Sequence, residues 1–232
     1  MTPIVFLPGF DGFADLRGDF LTALQRRHPL RAVTYPLLRL GTLDAYRQCA
    51  MSFAPVDWHP VLVAESFSCL VAARWAALDV RVRGIVLCAG FARNPLGLAT
   101  YWGASLPWVV QLGPTLLPAS VSAGQSPQRR RWTKGFRSAM RGLPAAVIAE
   151  RLRIIASEDV TTSLAGLRIP VVLVQFQGDE VIRRTARDHL EAVCHNAHVL
   201  RMPGPHFALE SRPLECAEAI GHRIREIFPT QA

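Results

Sequence analysis

This 232-residue sequence is poor in the patterns that bind metals or build disulfide frameworks. Its cysteines, Cys49, Cys69, Cys88, Cys194 and Cys216, are odd in number and fall at no regular interval. Neither a paired C-x-x-C nor an H-E-x-x-H occurs. Cys194-His195 with His189 and His198 therefore reads as ordinary sequence, and no metal or cofactor is expected. Cys69 and Cys88 lie in apolar segments and read as small core residues, which suits a reducing, cytoplasmic compartment. A basic start is missing too, and the apolar run Ile4-Val5-Phe6-Leu7 is too short for a secretory signal. The stretch 95–128 carries no charge, but Pro107, Pro114 and Pro118 interrupt it and Gln111 lies inside it, so no transmembrane segment is expected. Internal repeats and low-complexity segments are also lacking.

Charged residues make up 19% of the chain and hydrophobic ones 50%, the balance of a globular domain with a sizeable core and room for an insertion. The formal net charge is +8 and the sequence pI near 10.1. Such a balance suits an anionic lipid, an acidic protein or simple solubility. Nucleic acid fits worst, because no finger, helix-turn-helix or aromatic RNA-binding pattern accompanies the charge.

Short apolar runs alternate with helical patterns. Strands are expected at Ile4–Leu7, Leu30–Thr34, Pro60–Ala64, Gly84–Cys88, Ile169–Phe176 and His198–Met202. Helices are expected near Leu16–Arg27, Leu43–Met51, Phe67–Leu78 and Pro213–Ile227. Near-continuous apolar strands separated by helices imply a mostly parallel sheet of about six strands, covered on both faces. Between the strands at Ile85 and Val171 lie about eighty residues without a convincing strand, far more than an ordinary crossover. The expected division is an α/β core at 1–92 and 169–232 with a helical cap or lid at 93–168.

The most informative motif is Ala64-Glu65-Ser66-Phe67-Ser68, at the junction of an apolar strand and a helix. A sharp turn there would hold Ser66 in a strained conformation with its hydroxyl projecting from the sheet edge. The usual pattern is G-x-S-x-G; here Ala64 and Ser68 stand in for the glycines and keep the turn feasible. The plain alternative is a buried serine at a strand–helix junction. A serine hydroxyl needs a base, usually a histidine oriented by a carboxylate. Asp179 follows the strand ending at Phe176, and His206 follows the strand ending at Met202. Loops after parallel strands gather on one edge, so Ser66, Asp179 and His206 are expected to converge as nucleophile, acid and base. Asp179 also suits a turn that caps the next helix, with Glu180 the alternative acid. An oxyanion hole would come from the amides of Phe67 and Phe10, the latter in the tight loop Pro8-Gly9-Phe10-Asp11-Gly12. His28 and His59 are not placed to act as base, and Asp11 and Glu65 read as residues that tune the turns.

With this loop, the serine turn, and the order Ser66, Asp179, His206, the chain resembles the α/β-hydrolase superfamily over nearly its whole length. Within it the chain resembles small capped carboxylesterases of the pimeloyl-acyl-carrier-protein methyl ester esterase type. Two segments carry that likeness: Glu158-Asp159-Val160 through Ser163–Pro170, and Gly204-Pro205-His206-Phe207-Ala208-Leu209-Glu210-Ser211-Arg212-Pro213. Pro8 in place of a histidine, the missing elbow glycines and Pro205 depart from the pattern. The resemblance implies a serine esterase without cofactor and, because the chain begins at the family's third strand, six main strands rather than eight. It also raises a carrier-linked substrate of biotin synthesis.

Arg130, Lys134, Arg137 and Arg141 recur at helical spacing and share one face. They read either as a solvated face or as contacts to an acyl carrier protein whose acyl chain enters a pocket lined by Trp102, Trp108 and Val109. The uncharged cap suits an acyl or aromatic ester rather than a sugar or phosphate. An acyltransferase or a non-catalytic ligand receptor would need the same fold.

Overall fold

The four apolar residues Ile4–Leu7 form β1, and both neighbours pair with it in parallel. The computed structural model of the chain describes residues 1–95 and 140–228. Within them β2 spans Leu30–Ala32, β3 Val61–Glu65, β4 Gly84–Cys88, β5 Val171–Phe176 and β6 His198–Met202. The order is β2-β1-β3-β4-β5-β6 and every pair is parallel. The helices are α1 (Gly18–Gln25), α2 (Leu43–Met51), α3 (Ser68–Leu78), α4 (Ala145–Ser157), α5 (Thr161–Ala165), α6 (Arg184–Val193), α7 (Ala208–Ser211) and α8 (Pro213–Ile227).

Side chains alternate across a strand, and here both sets are apolar. Val5, Leu7, Leu62, Ala64, Ile85 and Leu87 join the core built with α2 and α3. Ile4, Phe6, Val61, Val63, Val86 and Cys88 join the core built with α1 and α8. Burial on both faces is the reason these strands read as continuous apolar runs rather than alternating ones. Local signals set the helix starts: Thr42 Oγ1 accepts from the Ala45 amide at 3.2 Å ahead of α2, and Pro213 opens α8.

The expected strands all form. β2 stops at Ala32 instead of Thr34, and the serine-bearing strand runs one residue further, to Glu65. The helix expected from Leu16 is split into a 3-10 turn at Asp15–Arg17 followed by α1. The sequence reading did not single out α6 or α7. α6 is strongly amphipathic but polar, burying Leu190 and Val193 alone, so little apolar periodicity marks it.

The sheet order reverses at β1. The chain runs from β1 outward to β2, then returns to place β3 on the other side of β1. A crevice opens at the carboxyl ends of the strands at such a reversal. The loop Pro8–Gly12 and the turn at Ser66 flank it, because Leu7 pairs with Ala64.

Candidate active site

Ser66 lies just past β3 with φ of 50°, a left-handed conformation that is costly for a residue with a Cβ. Its amide donates to Cys88 O at 2.9 Å, and α3 starts two residues later. The backbone is thus turned sharply between strand and helix, and Ser66 is half-buried at the apex.

The hydroxyl donates to His206 Nε2 at 3.0 Å, and Nδ1 donates to Asp179 Oδ2 at 2.9 Å. Two amides, of Val181 and Ile182, donate to Asp179 Oδ1 at 2.8 and 2.9 Å. Asp179 therefore holds the turn before α6 and orients the imidazole at once, one oxygen for each task. Burial alone would raise its pKa, but the bond and charge of His206 together with the two amides hold it below the usual carboxylate range. Glu180, the alternative acid, is exposed.

The two loops that carry these residues are tied to each other. The Gln177 amide donates to Met202 O and the Gly178 amide to Gly204 O, both at 2.9 Å. Gly204 has φ of +144°, and a Cβ there would lie 2.9 Å from that of Ala208, so glycine is required at this turn. The imidazole also meets the Phe207 ring edge-on, with centroids 4.8 Å apart.

Among the described residues, the amides of Phe10 and Phe67 donate to no backbone carbonyl, and the two rings meet edge-on with centroids 6.5 Å apart. The elbow's missing glycine has a structural counterpart here. Ser68 Oγ donates to Pro8 O in a short bond and shares a hydrogen bond of 2.9 Å with Tyr35 Oη. The hydroxyl at this position pins the loop that holds Phe10 beside the serine turn. Burial raises the Tyr35 phenol and keeps it protonated.

A second tie comes from α4. Arg151 is fully buried; its Nη1 donates to Phe10 O at 2.6 Å and its Nε to Tyr46 Oη at 3.1 Å. The guanidinium lies over the Tyr35 and Tyr46 rings, 5.7 and 5.5 Å from their centroids. Gly12, with φ of +81°, makes room for it: a Cβ there would stand 2.7 Å from Arg151 Nη1. The neighbouring Glu150 accepts from the amides of Leu40 and Gly41 at 2.8 and 2.9 Å and from Tyr46 Oη at 3.2 Å. Sequence reasoning missed this pair. The signal was present: Arg151 interrupts the apolar stripe Val147, Ile148, Ile154, Ile155 on the buried side of α4, where a charge needs a specific partner.

Met140, Leu143, Val147 and Ile148 pack around Phe207, and Phe10 and Phe13 lie against them, giving the site an apolar wall. Of the residues expected to meet a carrier protein, Arg141 is exposed. Arg130, Lys134 and Arg137 lie outside the described residues, as do Trp102, Trp108 and Val109, expected in the acyl pocket. His28 is buried with Nδ1 3.1 Å from Thr2 O, and His59 is exposed. No helix among the described residues is long and apolar enough to cross a membrane.

Comparison with known proteins places these features in context. A family model described as "Alpha/beta hydrolase family" matches residues 4–219. The structure is similar to that of an esterase from Exiguobacterium antarcticum, with TM-score 0.80 and 11% identity over 97% of this chain and 92% of that one. It is also similar to the enol-lactonase from Burkholderia xenovorans LB400, with TM-score 0.79 and 14% identity over 99% and 92%. A hydrolase from Oleispira antarctica gives TM-score 0.78 and 11% identity over 97% and 91%. At these identities the likeness is one of fold. No curated protein matches the sequence.

Proposed function

The chain belongs to the alpha/beta hydrolase family, and on that premise we propose that it hydrolyses carboxylic esters through an acyl-enzyme on Ser66. The observation that carries this reading is the unbroken hydrogen-bond chain from Ser66 through His206 to Asp179, built on a serine in left-handed backbone. His206 Nε2 takes the hydroxyl proton as Oγ attacks the ester carbonyl. Asp179 holds Nδ1–H, so that Nε2 presents its lone pair, and it faces the imidazolium that forms. The amides of Phe67 and Phe10 receive the negative oxygen of the tetrahedral intermediate. Collapse breaks the carbon–oxygen bond to the alcohol, which leaves with the proton from His206. Water then gives a proton to the same nitrogen and attacks the acyl carbon. Ser66 departs with that proton, and the acid is released.

The apolar wall around Phe10 and Phe207 suits an acyl or aromatic group on the carbonyl side. In this reading residues 93–168 act as the cap, with Trp102, Trp108 and Val109 lining the acyl pocket. A fluorophosphonate probe tests the proposal: it should label the natural chain at Ser66 and fail on Ser66→Ala. A panel of p-nitrophenyl esters, from acetate to long acyl chains, should show turnover by the natural chain. A folded natural chain that neither labels nor turns over any ester would refute the reading and leave a ligand receptor on the same fold.

A further inference from the structure

Beneath the reacting groups lies a second set of charges that ester hydrolysis leaves unused. Arg17 is buried and meets three buried carboxylates. Its Nη1 donates to both Asp11 oxygens, at 2.8 and 2.7 Å, and to Phe13 O at 3.1 Å. Its Nε donates to Glu65 Oε2 at 2.7 Å, and Nη2 lies 2.6 Å from that oxygen. Nη2 also lies 2.8 Å from Glu210 Oε1, without the angle of a hydrogen bond. Asp11 sits in the loop that carries Phe10. Glu65 immediately precedes Ser66, and Glu210 lies on α7, just past His206. Gly9 faces the same group: a Cβ there would stand 3.0 Å from Arg17 Nη2 and 3.2 Å from Glu65 Oε2.

Three carboxylates facing one guanidinium cannot all be ionised cheaply in a sealed site. Among the described residues, Glu65 Oε1 and both Glu210 oxygens are buried and accept no hydrogen bond from another residue. An ionised carboxylate without donors bears the full cost of desolvation, whereas a proton removes the charge. Of the three acids, Glu210 has the poorest set of donors.

We propose that Arg17 is a positioning residue that locks the oxyanion loop, the serine turn and the histidine segment into one unit, and that Glu210 joins this unit in its neutral, protonated form. The proposal rests on the esterase reading for what is being positioned. Burial pushes both glutamates above the usual carboxylate range, Glu210 the further. Burial opposes the Arg17 charge too, but the carboxylates facing it, Asp11 foremost, outweigh that cost and raise its pKa. Among the described residues, the other titratable groups facing Glu210 are the thiols of Cys88 and Cys216. Burial raises both, Cys216 to about 12, so they stay neutral across the working range. His206 faces Glu65 from the reacting side.

A carboxyl whose folded-state pKa is raised stabilises the fold below its ordinary range, and that stability is lost as pH rises through the raised value. Melting of the full chain between pH 5 and 9 reads this without any activity. Glu210→Gln should melt progressively higher than the natural chain as pH rises, the gap widening by about 3 °C per pH unit below the raised value and levelling off above it. A constant or narrowing gap overturns the protonated Glu210, and so does a widening gap given by Glu65→Gln instead. Arg17→Lys keeps the charge but loses the fork. It should lower kcat on a p-nitrophenyl ester by about a hundredfold, with KM within about twofold. The rate of fluorophosphonate labelling should fall in proportion. If Arg17→Lys does not fold, Asp11→Asn loosens the same loop and should lower kcat by about tenfold. Natural kcat in whichever of the two is read overturns the positioning role. A natural chain that shows the widening gap but does not label refutes the esterase reading and leaves the charge cluster standing. Normal labelling with parallel melting curves does the reverse.

Discussion

Asp179 and Glu210 are both 7% exposed, and each lies near a nitrogen group, Asp179 beside the His206 imidazole and Glu210 beside the Arg17 guanidinium. Their proton affinities nonetheless move in opposite directions, Asp179 down and Glu210 well up. Burial penalises the charge of each. They differ in the number of donors as well as in how completely they are desolvated. Asp179 accepts from His206 Nδ1 and from two amides, so its charge is hydrogen-bonded on both oxygens. Among the described residues Glu210 accepts no hydrogen bond from another residue, and it shares Arg17 with two other acids. A buried carboxylate is thus tuned by the donors aimed at it as well as by its depth, and one fold can hold two buried acids with opposite proton affinities.

The comparison can be broken most sharply at the serine. Ser66→Ala and His206→Ala should each lower kcat/KM on an active ester by about 10⁶-fold, and the double variant should lose little more, because the two groups act as one unit. Additive losses would mean that they do not. Asp179→Asn should cost about 10⁴-fold in kcat by releasing the imidazole tautomer. The same variant sharpens the contrast in stability. Asp179, with a lowered pKa, stabilises the fold above the ordinary aspartate value of 3.8 and loses that contribution as pH falls through its own lower value. The natural chain's melting advantage over Asp179→Asn should therefore shrink toward acid, opposite to the trend expected for Glu210→Gln. Parallel trends would dissolve the contrast.

Arg151→Met tests whether a buried cation matters when it serves a carbonyl instead of a carboxylate. Freed from Arg151, the Phe10 carbonyl loses its hold, and kcat should fall about 10²-fold with KM nearly unchanged. A rise in KM alone would assign Arg151 to substrate binding. The smallest effect is expected at Ser68→Ala, which removes the tie between α3, Pro8 and Tyr35. Loss of a buried hydroxyl with its partners should destabilise by about 1–3 kcal/mol, read from the urea midpoint.

How much of this was legible follows from range. The strands and their parallel pairing were readable because burial on both sheet faces writes itself as continuous apolar runs with helices between them. That Ser66, Asp179 and His206 would approach one another was readable too, since each follows a parallel strand and such loops share an edge. The groups beneath them were not. Asp11 and Glu65 read as residues of turns, and Arg17 and Glu210 carried no periodic mark at all. Arg151 was marked only as a charge on the apolar side of α4.

The sequence by itself settled which segments are strands, which loops lie at the carboxyl edge and which side chains could do chemistry, because periodicity and strand–loop order are local properties of the chain. Tertiary structure alone decided the partner and the proton of each buried charge. Arg17 meets an acid 48 residues away and Arg151 a carbonyl 141 residues away. Whether a carboxylate keeps its charge depends on donors that only folding brings within reach.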